Sequence, residues 1–264
     1  MGEDRVLRHV EHAMGTVFSF AVRSEPTRAV TRAMADAVAW LHRVDAVFSP
    51  YRTHSQISRL GRGELTVGQC DQEVAEVLDL CRTATRTSGG RFSSTPGGRL
   101  DPSGMVKGWA VERASQILYE AGARHHCLNG GGDIQARGEA APGRPWSVGV
   151  AHPLHPGDLT TVVRGRDLAV ATSGTAERGH HIVDPHSGRP ATGLVSITLV
   201  GRHLTEVDAM ATAAFAMGDD AREWIQSLDG IEAFAVTADV RVWWTPGFAE
   251  HGLIPARGSQ SEAA

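Results

Sequence analysis

Apolar positions near the start of the chain change from a strand-like to a helix-like spacing. Residues 6–10 and 16–22 are rich in β-branched and aromatic side chains, which predicts two strands. Apolar residues then recur at helical spacing from Thr27 until Pro50, and because proline cannot continue a helix, the pattern predicts one long helix between them. After a polar loop, the same spacing returns over residues 71–87 and predicts a second helix.

The middle of the chain is less regular. Residues 91–108 are rich in glycine and predict an irregular segment, and a helix is predicted to follow over residues 109–121. Two further helices are predicted over residues 206–217 and 220–228. A polar stretch, residues 172–193, interrupts the strand-like runs of this part of the chain. Those runs predict strands over residues 126–129, 134–136, 146–151, 159–163, 168–171, 195–200, 232–237 and 241–244.

The order of these elements predicts an α+β fold with largely antiparallel sheets. Strands and helices mix without a regular β-α-β alternation, and several strand pairs lie close together in sequence, which disfavours a doubly wound parallel sheet. No linker-like change in composition marks a boundary. Residues 1–256 therefore predict one domain, and residues 257–264 predict a flexible tail.

The bulk composition is that of an ordinary globular protein, with 41% hydrophobic and 21% charged residues. A net charge of -4 gives no electrostatic basis for binding nucleic acid or an anionic membrane surface, and no apolar run is long enough for membrane insertion. Cys70, Cys81 and Cys127 are odd in number and lack metal-binding spacing, so they predict free thiols in a reducing compartment. The first residues lack the apolar region of a signal peptide, and we therefore expect a cytoplasmic protein.

Lys107 is the single lysine of a chain whose 26 basic residues are otherwise arginine. Lysine offers a compact ammonium where arginine offers a planar guanidinium, so this lysine points to a narrow site or a phosphate group. Asp101 and Gly104 lie in the same segment, just before a predicted helix, where free amides and the helix dipole favour an anion. The same residues also fit a simple cap and turn.

Two further segments contain more glycine or more polar groups than a turn needs. The run from Asn129 to Asp133 holds three consecutive glycines, which allow the backbone to approach a ligand closely or to form a tight hairpin. The residues after this run are extended in pattern, which disfavours a Rossmann nucleotide site. Residues 171–185 combine hydroxyl groups with two histidines, and a neutral histidine can act as a general base, although most histidines are structural.

Asp208 and Thr212 lie four residues apart in a predicted helix, so their oxygens share one face. A carboxylate and a hydroxyl, with a carbonyl from elsewhere, form an oxygen-ligand set that suits Mg²⁺. The spacing fits equally well an aspartate that complements the helix dipole and a threonine that is bonded back to its own helix.

Seven short motifs follow one another along the chain. They are Met14-Gly15-Thr16, Ser49-Pro50-Tyr51, Asp101-x-x-Gly104-x-x-Lys107-Gly108, Gly131-Gly132-Asp133, Thr172-Ser173-Gly174, His181-Ile182-x-Asp184-Pro185 and Asp208-Ala209-x-Ala211-Thr212. In this order they resemble the ApbE family, the FAD:protein FMN transferases, from about residue 6 to residue 246. The resemblance implies an α+β fold of two related, tightly packed halves. It also implies a Mg²⁺-dependent enzyme that moves FMN from FAD to a Ser or Thr hydroxyl of an acceptor flavoprotein through a phosphoester bond and releases AMP.

The resemblance also implies roles for individual residues. His181 and Asp208 are the implied catalytic residues, with His181 activating the acceptor hydroxyl. The implied protein ligands of Mg²⁺ are Gly104 and Ala211 through their carbonyls, together with Asp208 and Thr212. Arg91 and Ser93 stand where the family has alanine and aspartate. The residues implied to contact FAD are Met14, Tyr51, Arg91, Phe92, Ser93, Asp101, Lys107, Thr172 and Ile182.

Two other functions would use the same residues. One is a Mg²⁺-dependent FAD pyrophosphatase, which hydrolyses FAD to FMN and AMP without an acceptor protein. The other is a protein that binds FAD without turning it over. The motifs around His181 and Asp208 favour an enzyme, because storage of a flavin needs no metal, but the sequence leaves transfer and hydrolysis open.

Overall fold

The computed structural model describes residues 6–175 and 182–254, and one antiparallel sheet of eight strands lies at its centre. In spatial order the strands are β1 (Val6–Ala13), β2 (Thr16–Arg23), β3 (His125–Gly130), β4 (Asp133–Arg137), β7 (Leu168–Gly174), β10 (Leu194–Gly201), β11 (Glu232–Thr237) and β12 (Val242–Trp244). Two separate hairpins are formed by β5 (Trp146–Ala151) with β6 (Leu159–Gly165) and by β8 (Val183–Asp184) with β9 (Arg189–Pro190).

Six α-helices accompany the sheet in the described residues. They are α1 (Arg28–Phe48), α2 (Gln56–Gly61), α3 (Gln72–Thr87), α4 (Ser103–Glu120), α5 (Leu204–Met217) and α6 (Ala221–Gln226). α4 packs on β3 and β4, α5 packs on β7 and β10, and the two helices pack against each other. The crossing of α4 and α5 therefore brings distant segments of the chain together at the centre of the sheet.

Each half of the sheet has the same arrangement of two strands, helices and two strands. In the first half β1 and β2 precede α1 to α4, and β3 and β4 follow. In the second half β7 and β10 precede α5 and α6, and β11 and β12 follow. The spatial order of the strands equals their chain order within each half, and β4 pairs with β7 to join the halves. The expected α+β class, antiparallel pairing and division into two related halves are thus confirmed.

Aromatic and small side chains fix the helices against one another. Trp109 of α4 packs edge-on against Trp40 and Phe48 of α1, with ring centroids 5.0 and 5.5 Å apart. α5 contains Ala209, Ala213 and further buried alanines, whose small side chains allow it to lie close to both α4 and the sheet. On the other side of the second half, the β5–β6 hairpin covers a smaller apolar cluster.

Most predicted helices and strands are confirmed, with bounds that move by a few residues. The prediction of an irregular segment up to residue 108 is wrong at its end, because α4 begins at Ser103 and includes Lys107. Glycine weakens a helix taken alone, but packing against α5 stabilises this one. The polar stretch over residues 172–193 also contains more structure than predicted, because β7 extends to Gly174 and the β8–β9 hairpin follows.

The three cysteines are free thiols, as the sequence predicted. Cys81 is buried in the core, and burial raises the pKa of its thiol and that of Cys127 to about 12. Because the thiolate is the reactive form, these two side chains act as small apolar groups at neutral pH.

His126 is a fully buried histidine that the fold holds in its neutral form. Its Nδ1–H donates to the Ala123 carbonyl at 2.7 Å, since that carbonyl can only accept. Its Nε2 then accepts a hydrogen bond from the Ser115 hydroxyl at 2.7 Å. Burial penalises the imidazolium and lowers the pKa of His126 to about 4.

We expect His126→Asn to be less sensitive to acid than the wild type. Between pH 6.5 and about 4 the unfolded chain binds a proton at His126 that the folded chain excludes. The stabilising contribution is therefore complete above pH 6.5, and about 3 kcal/mol of it is lost as the pH falls to about 4. Urea unfolding across this range measures the pH slope, and the exposed His54→Asn variant is the control. Equal slopes in the wild type and His126→Asn would contradict the prediction.

Candidate functional site

α4 and α5 cross at two glycines of α4, Gly104 and Gly108. A Cβ placed on Gly108 would lie 2.6 Å from the Leu204 carbonyl oxygen and 2.7 Å from the Asp208 Cβ. A Cβ placed on Gly104 would lie 3.6 Å from the methyl carbon of Thr212. Side chains four residues apart share a helix face, so Gly108 lies opposite Asp208 while Gly104 lies opposite Thr212. The absence of a side chain at Gly108 is what allows the two helices to come this close.

Three charged side chains meet at this crossing. Lys107 forms an ion pair with Asp133, and its Nζ lies 3.9 Å from Asp208 Oδ1. Asp208 Oδ2 accepts a hydrogen bond from the Gly108 amide at 2.9 Å. Asp133 Oδ1 accepts one from the Thr172 amide at 3.1 Å. We refer to Lys107, Asp133 and Asp208 as the charge cluster, to which α4, β4 and α5 each contribute one residue.

The two carboxyl groups of the charge cluster are buried beside a single ammonium. Asp133 and Asp208 expose 2% and 7% of their side chains, whereas Lys107 exposes 30%. Burial raises the pKa of Asp208 well above its usual range; Lys107 opposes this shift, and the negative charge of Asp133 adds to it. With both carboxylates ionised, two negative charges face one positive charge. A further positive charge beside Asp208 would therefore be favourable.

The other oxygens predicted to bind Mg²⁺ lie around the same crossing. Thr212 follows Asp208 by one helical turn, and its hydroxyl donates a hydrogen bond to the Asp208 carbonyl at 3.2 Å. The threonine is thus bonded back to its own helix, which is one of the two alternatives that the four-residue spacing left open. Asp208 also accepts the Gly108 amide hydrogen, which a regular helix would give to the Gly104 carbonyl. Ala211 is fully buried, and helical geometry directs its carbonyl along the axis of α5, so its place among the ligands stays a prediction.

Asp101 fixes the start of α4. Its Oδ1 accepts a hydrogen bond from the Ser103 amide at 3.1 Å and another from the Ser103 hydroxyl. This is the cap and turn that the sequence left open. The turn places the first amides of α4 one helical turn before Lys107, on the side where an anion would meet the positive end of the helix.

Two tight hairpin turns lie side by side next to the charge cluster. Met14 and Gly15 have φ values of +49° and +70°, and Gly131 and Gly132 have +59° and +94°, as two-residue type I′ turns require. A Cβ on Gly131 would lie 2.6 Å from the Thr16 hydroxyl oxygen, so the turns are in contact. The glycine run is therefore a tight hairpin that leads directly into β4.

Met14 has a backbone conformation that non-glycine residues rarely adopt. Its side chain is half-buried and borders a shallow cavity of about 310 Å³, which also contacts Asp45 and the start of β2. Strained backbone positions of this kind persist where the surroundings hold them, and they are frequent at ligand sites. The role of Met14 in contacting a ligand stays a prediction.

Two aromatic side chains predicted to contact the flavin nucleotide have opposite environments. Tyr51 exposes 91% of its surface, so its ring is available to a ligand. Phe92 exposes 1%, and its ring carbon would lie 3.3 Å from a Cβ on Gly104. Phe92 thus supports the start of α4 from within the core and has little surface to offer a ligand.

Arg91 and Ser93, which depart from the family pattern, bond to the protein itself. Arg91 pairs with Asp184 at 3.0 Å and lies 3.9 Å from Asp220. The Ser93 hydroxyl accepts a hydrogen bond from the Thr95 amide at 3.1 Å. Arg91 therefore connects the segment after α3 to the β8–β9 hairpin, a role that the sequence did not predict.

The last predicted site residues lie where β7 ends and β8 begins. The Thr172 hydroxyl lies 2.8 Å from that of Thr198, and the Thr172 amide bonds to Asp133. Ile182 packs against the apolar core, and its carbonyl accepts a hydrogen bond from the Ala191 amide. His181, the predicted base, lies outside the described residues.

Asp133 is the member of the charge cluster to which the sequence analysis gave no role. It was visible as the last residue of Gly131-Gly132-Asp133, but aspartate beside glycine is also typical of ordinary turns. Its ion pair with Lys107 depends on the packing of α4 against β4. The spacing of residues in the sequence therefore cannot predict this contact.

Comparison with known proteins gives a consistent result. A model of the ApbE family matches residues 14–98 and 93–235. An FAD:protein FMN transferase of Rhodobacter capsulatus is 31% identical over 194 residues, which are 70% of this chain and 36% of that protein. Another of Treponema pallidum is 31% identical over 173 residues, 58% of this chain and 48% of that protein. The matched region thus spans less than half the length of either relative.

Solved structures share the fold. The flavin transferase ApbE from Vibrio cholerae superimposes with a TM-score of 0.82 at 18% identity, covering 94% of this chain and 99% of that one. The ApbE protein from Thermotoga maritima has a TM-score of 0.83 at 22% identity, covering 93% of this chain and 99% of that one. At these identities the likeness concerns the fold alone.

We expect Gly108→Ala to lower the free energy of unfolding by about 2–3 kcal/mol, because the new methyl group would overlap both the backbone and a side chain of α5. Urea unfolding measures the loss. Gly68→Ala is the control, because a Cβ there would have no heavy atom within 4 Å. Equal stabilities of the two variants would show that the helices are not in close contact at Gly108.

Proposed function

Because the chain belongs to the ApbE family, we propose that it is a Mg²⁺-dependent FAD:protein FMN transferase. In this proposal it moves FMN from FAD to a Ser or Thr hydroxyl of an acceptor flavoprotein and releases AMP. The observation that carries the proposal is the charge cluster. The single lysine ammonium lies against two buried carboxylates in the first turns of a helix, and Thr212 follows one of these carboxylates by one helical turn.

The proposed role of Lys107 is to bind the diphosphate of FAD. Its side chain is 30% exposed, and its ammonium contacts the buried carboxylates of Asp133 and Asp208. The amides at the start of α4 would add to its attraction for an anion. We propose further FAD contacts from Met14, Tyr51, Arg91, Ser93, Asp101, Thr172 and Ile182, of which Tyr51 has an almost fully exposed ring, whereas the buried Phe92 would act by supporting the start of α4.

The oxygen donors at the helix crossing suit Mg²⁺. Asp208 and Thr212 would hold the ion with the carbonyls of Gly104 and Ala211, and with both carboxylates ionised the cluster would carry one more negative than positive charge. When bound, Mg²⁺ supplies positive charge that stabilises the developing charge on the phosphoryl oxygens. A Cβ on Gly104 would lie 3.7 Å from the Thr212 hydroxyl oxygen, so a side chain there would crowd one of the proposed ligands.

The residues of the chain would then assist one displacement at phosphorus. A bond forms between the acceptor hydroxyl oxygen and the FMN phosphorus, and the bond from that phosphorus to the bridging oxygen breaks, so AMP leaves with that oxygen. The hydroxyl proton passes to His181, which we propose as the general base. Lys107 holds the diphosphate in place and stabilises its charge, and such positioning supplies much of the rate in phosphoryl transfer.

Three outcomes separate transfer from its alternatives. The protein is incubated with FAD and Mg²⁺, with and without a candidate acceptor flavoprotein, and AMP, free FMN and the mass of the acceptor are measured. Transfer gives AMP and an acceptor whose mass rises by one esterified FMN. Hydrolysis gives AMP and free FMN with an unmodified acceptor, and unchanged FAD with every acceptor would favour simple binding.

The acceptor and the location of the protein remain proposals. The described residues include no helix with the length and apolar character needed to cross a bilayer. We propose a cytoplasmic enzyme whose partners are FAD and an acceptor protein, without a nucleic acid or membrane partner.

We expect Lys107→Met to lower the rate of AMP formation about 100-fold, because the diphosphate loses its charged partner. Arg113→Met removes an exposed cation from the same helix and is the matched control, which should retain the wild-type rate. AMP formation is followed by chromatography at saturating Mg²⁺. A Lys107→Met rate within threefold of the wild type would contradict the proposed contact.

We expect His181→Ala to slow FMN transfer by about 10²- to 10⁴-fold, because the acceptor hydroxyl loses its base. FAD affinity, measured by quenching of flavin fluorescence, should change much less than the rate. His180→Ala is the matched neighbour. Equal transfer rates for the wild type and His181→Ala would remove the proposed base.

A further inference from the structure

We propose that Asp133 is a positioning residue that holds the Lys107 ammonium in place for the diphosphate. The inference rests on the proposed function and adds to it a residue for which the sequence analysis had no role. Asp133 acts in this proposal through Lys107, without contact to the substrate.

The position of Asp133 in the sheet explains why its carboxylate is fixed. It is the first residue of β4, directly after the Gly131–Gly132 turn. The last pair between β4 and β7 joins Ile134 to Val170. Beyond that pair the side chain of Asp133 continues the pairing, because its Oδ1 accepts the Thr172 amide hydrogen. One carboxylate oxygen is thus held by the backbone of the neighbouring half.

The second carboxylate oxygen is directed at Lys107. Asp133 Oδ2 forms the ion pair with Nζ, while Asp208 Oδ1 lies 3.9 Å from the same atom. Asp133 is therefore the nearer of the two carboxylates, and it is 2% exposed at its side chain. Because water does not reach this oxygen freely, the ammonium is its main source of compensating charge.

A lysine side chain has four rotatable bonds, and fixing its ammonium at one place costs conformational entropy. The ion pair with Asp133 fixes the ammonium before a substrate binds, so this entropy is not lost during binding. Its own orientation is set by Thr172 and by the tight turn, so the ammonium is aimed by the rigid sheet as well as by α4. Preorganisation of this kind raises the rate more than it raises the affinity for the substrate.

Asp208 cannot substitute for Asp133 in this role. Its Oδ2 is bound to the Gly108 amide, and its Oδ1 lies 3.9 Å from Nζ, which is too far for a hydrogen bond. Loss of Asp133 would remove the nearer of the two carboxylates, while the longer contact to Asp208 remains. The ammonium would then move towards the proposed cation site and away from the diphosphate.

The first test uses the single side-chain amine of the chain and needs no substrate. The native protein is treated with acetic anhydride, and acetylation of Lys107 is followed by peptide mass spectrometry. Asp133→Asn keeps an oxygen for the Thr172 amide but removes the charge. It should be acetylated about tenfold faster than the wild type, because the amine is no longer held against a buried carboxylate and can move towards the reagent.

The matched control is Glu112→Gln. Glu112 also lies on α4, and its carboxylate accepts a hydrogen bond from the Thr205 amide at 2.9 Å. This bond caps the start of α5 and involves no member of the charge cluster. Its variant should be acetylated at the wild-type rate. An Asp133→Asn rate equal to that of the wild type, or an equal increase in Glu112→Gln, would overturn the inference.

The second test is a double-mutant cycle on AMP formation from FAD with Mg²⁺ and acceptor. Asp133→Asn should lower the rate about 10- to 100-fold in the wild-type background, with FAD affinity within threefold. In the Lys107→Met background the same change should have less than a twofold effect, since Asp133 acts through Lys107. Single-turnover reactions with excess enzyme make the slow variants measurable.

The outcomes separate the two proposals. If the wild type forms no AMP, the proposed function is wrong. If the wild type is active but the effects of Asp133→Asn and Lys107→Met multiply in the double mutant, only the proposed role of Asp133 is wrong. If Asp133→Asn does not fold, Asp133→Ser, which retains a short hydrogen-bond acceptor, takes its place in both tests. A drop in FAD affinity that parallels the drop in rate would assign Asp133 a merely structural role.

Discussion

The close approach of α4 and α5 at Gly108 is the constraint on which the rest of the site depends. It places the Asp208 carboxylate against the backbone of α4, where the Gly108 amide binds it. It also brings the residue before Gly108 into the gap between two carboxylates. A larger residue at position 108 would separate the helices, and the oxygen atoms of α5 would then lie out of reach of Lys107.

Burial of two carboxylates with one ammonium is costly unless each oxygen has a partner, and breaking such a pair costs about 3–5 kcal/mol. Here one oxygen of each carboxylate accepts a hydrogen bond from a backbone amide. The Gly108 amide donates to Asp208, and the Thr172 amide donates to Asp133. The other two carboxylate oxygens face the Lys107 ammonium, which is nearer to Asp133 than to Asp208. The carboxylates that the fold must stabilise are thus also the groups that would attract a cation.

Most of the helices and strands could be predicted from the sequence, because they depend on the pattern of apolar and polar residues within each segment. Runs of β-branched and aromatic residues predicted the strands, and apolar residues at helical spacing predicted α1 and α3. The single lysine predicted a residue that lies at the centre of the charge cluster. The start of α4 was misplaced, because two glycines argue against a helix whose stability comes from contact with α5. Asp133 and Arg91 had no predicted partners for a similar reason. Their bonds to Lys107 and Asp184 join segments that only tertiary packing brings together.

The division of the charge cluster between the two halves sets an order of events during folding. Lys107 and Asp133 belong to the half that leaves the ribosome first, whereas Asp208 belongs to the half that is synthesised last. Contacts within a half close shorter loops than contacts between halves, so docking across β4 and β7 comes late. A nascent chain that lacks the second half would therefore carry Lys107 and Asp133 without the Thr172 amide that holds Asp133 and without Asp208. The charge cluster is thus complete only after the two halves have docked.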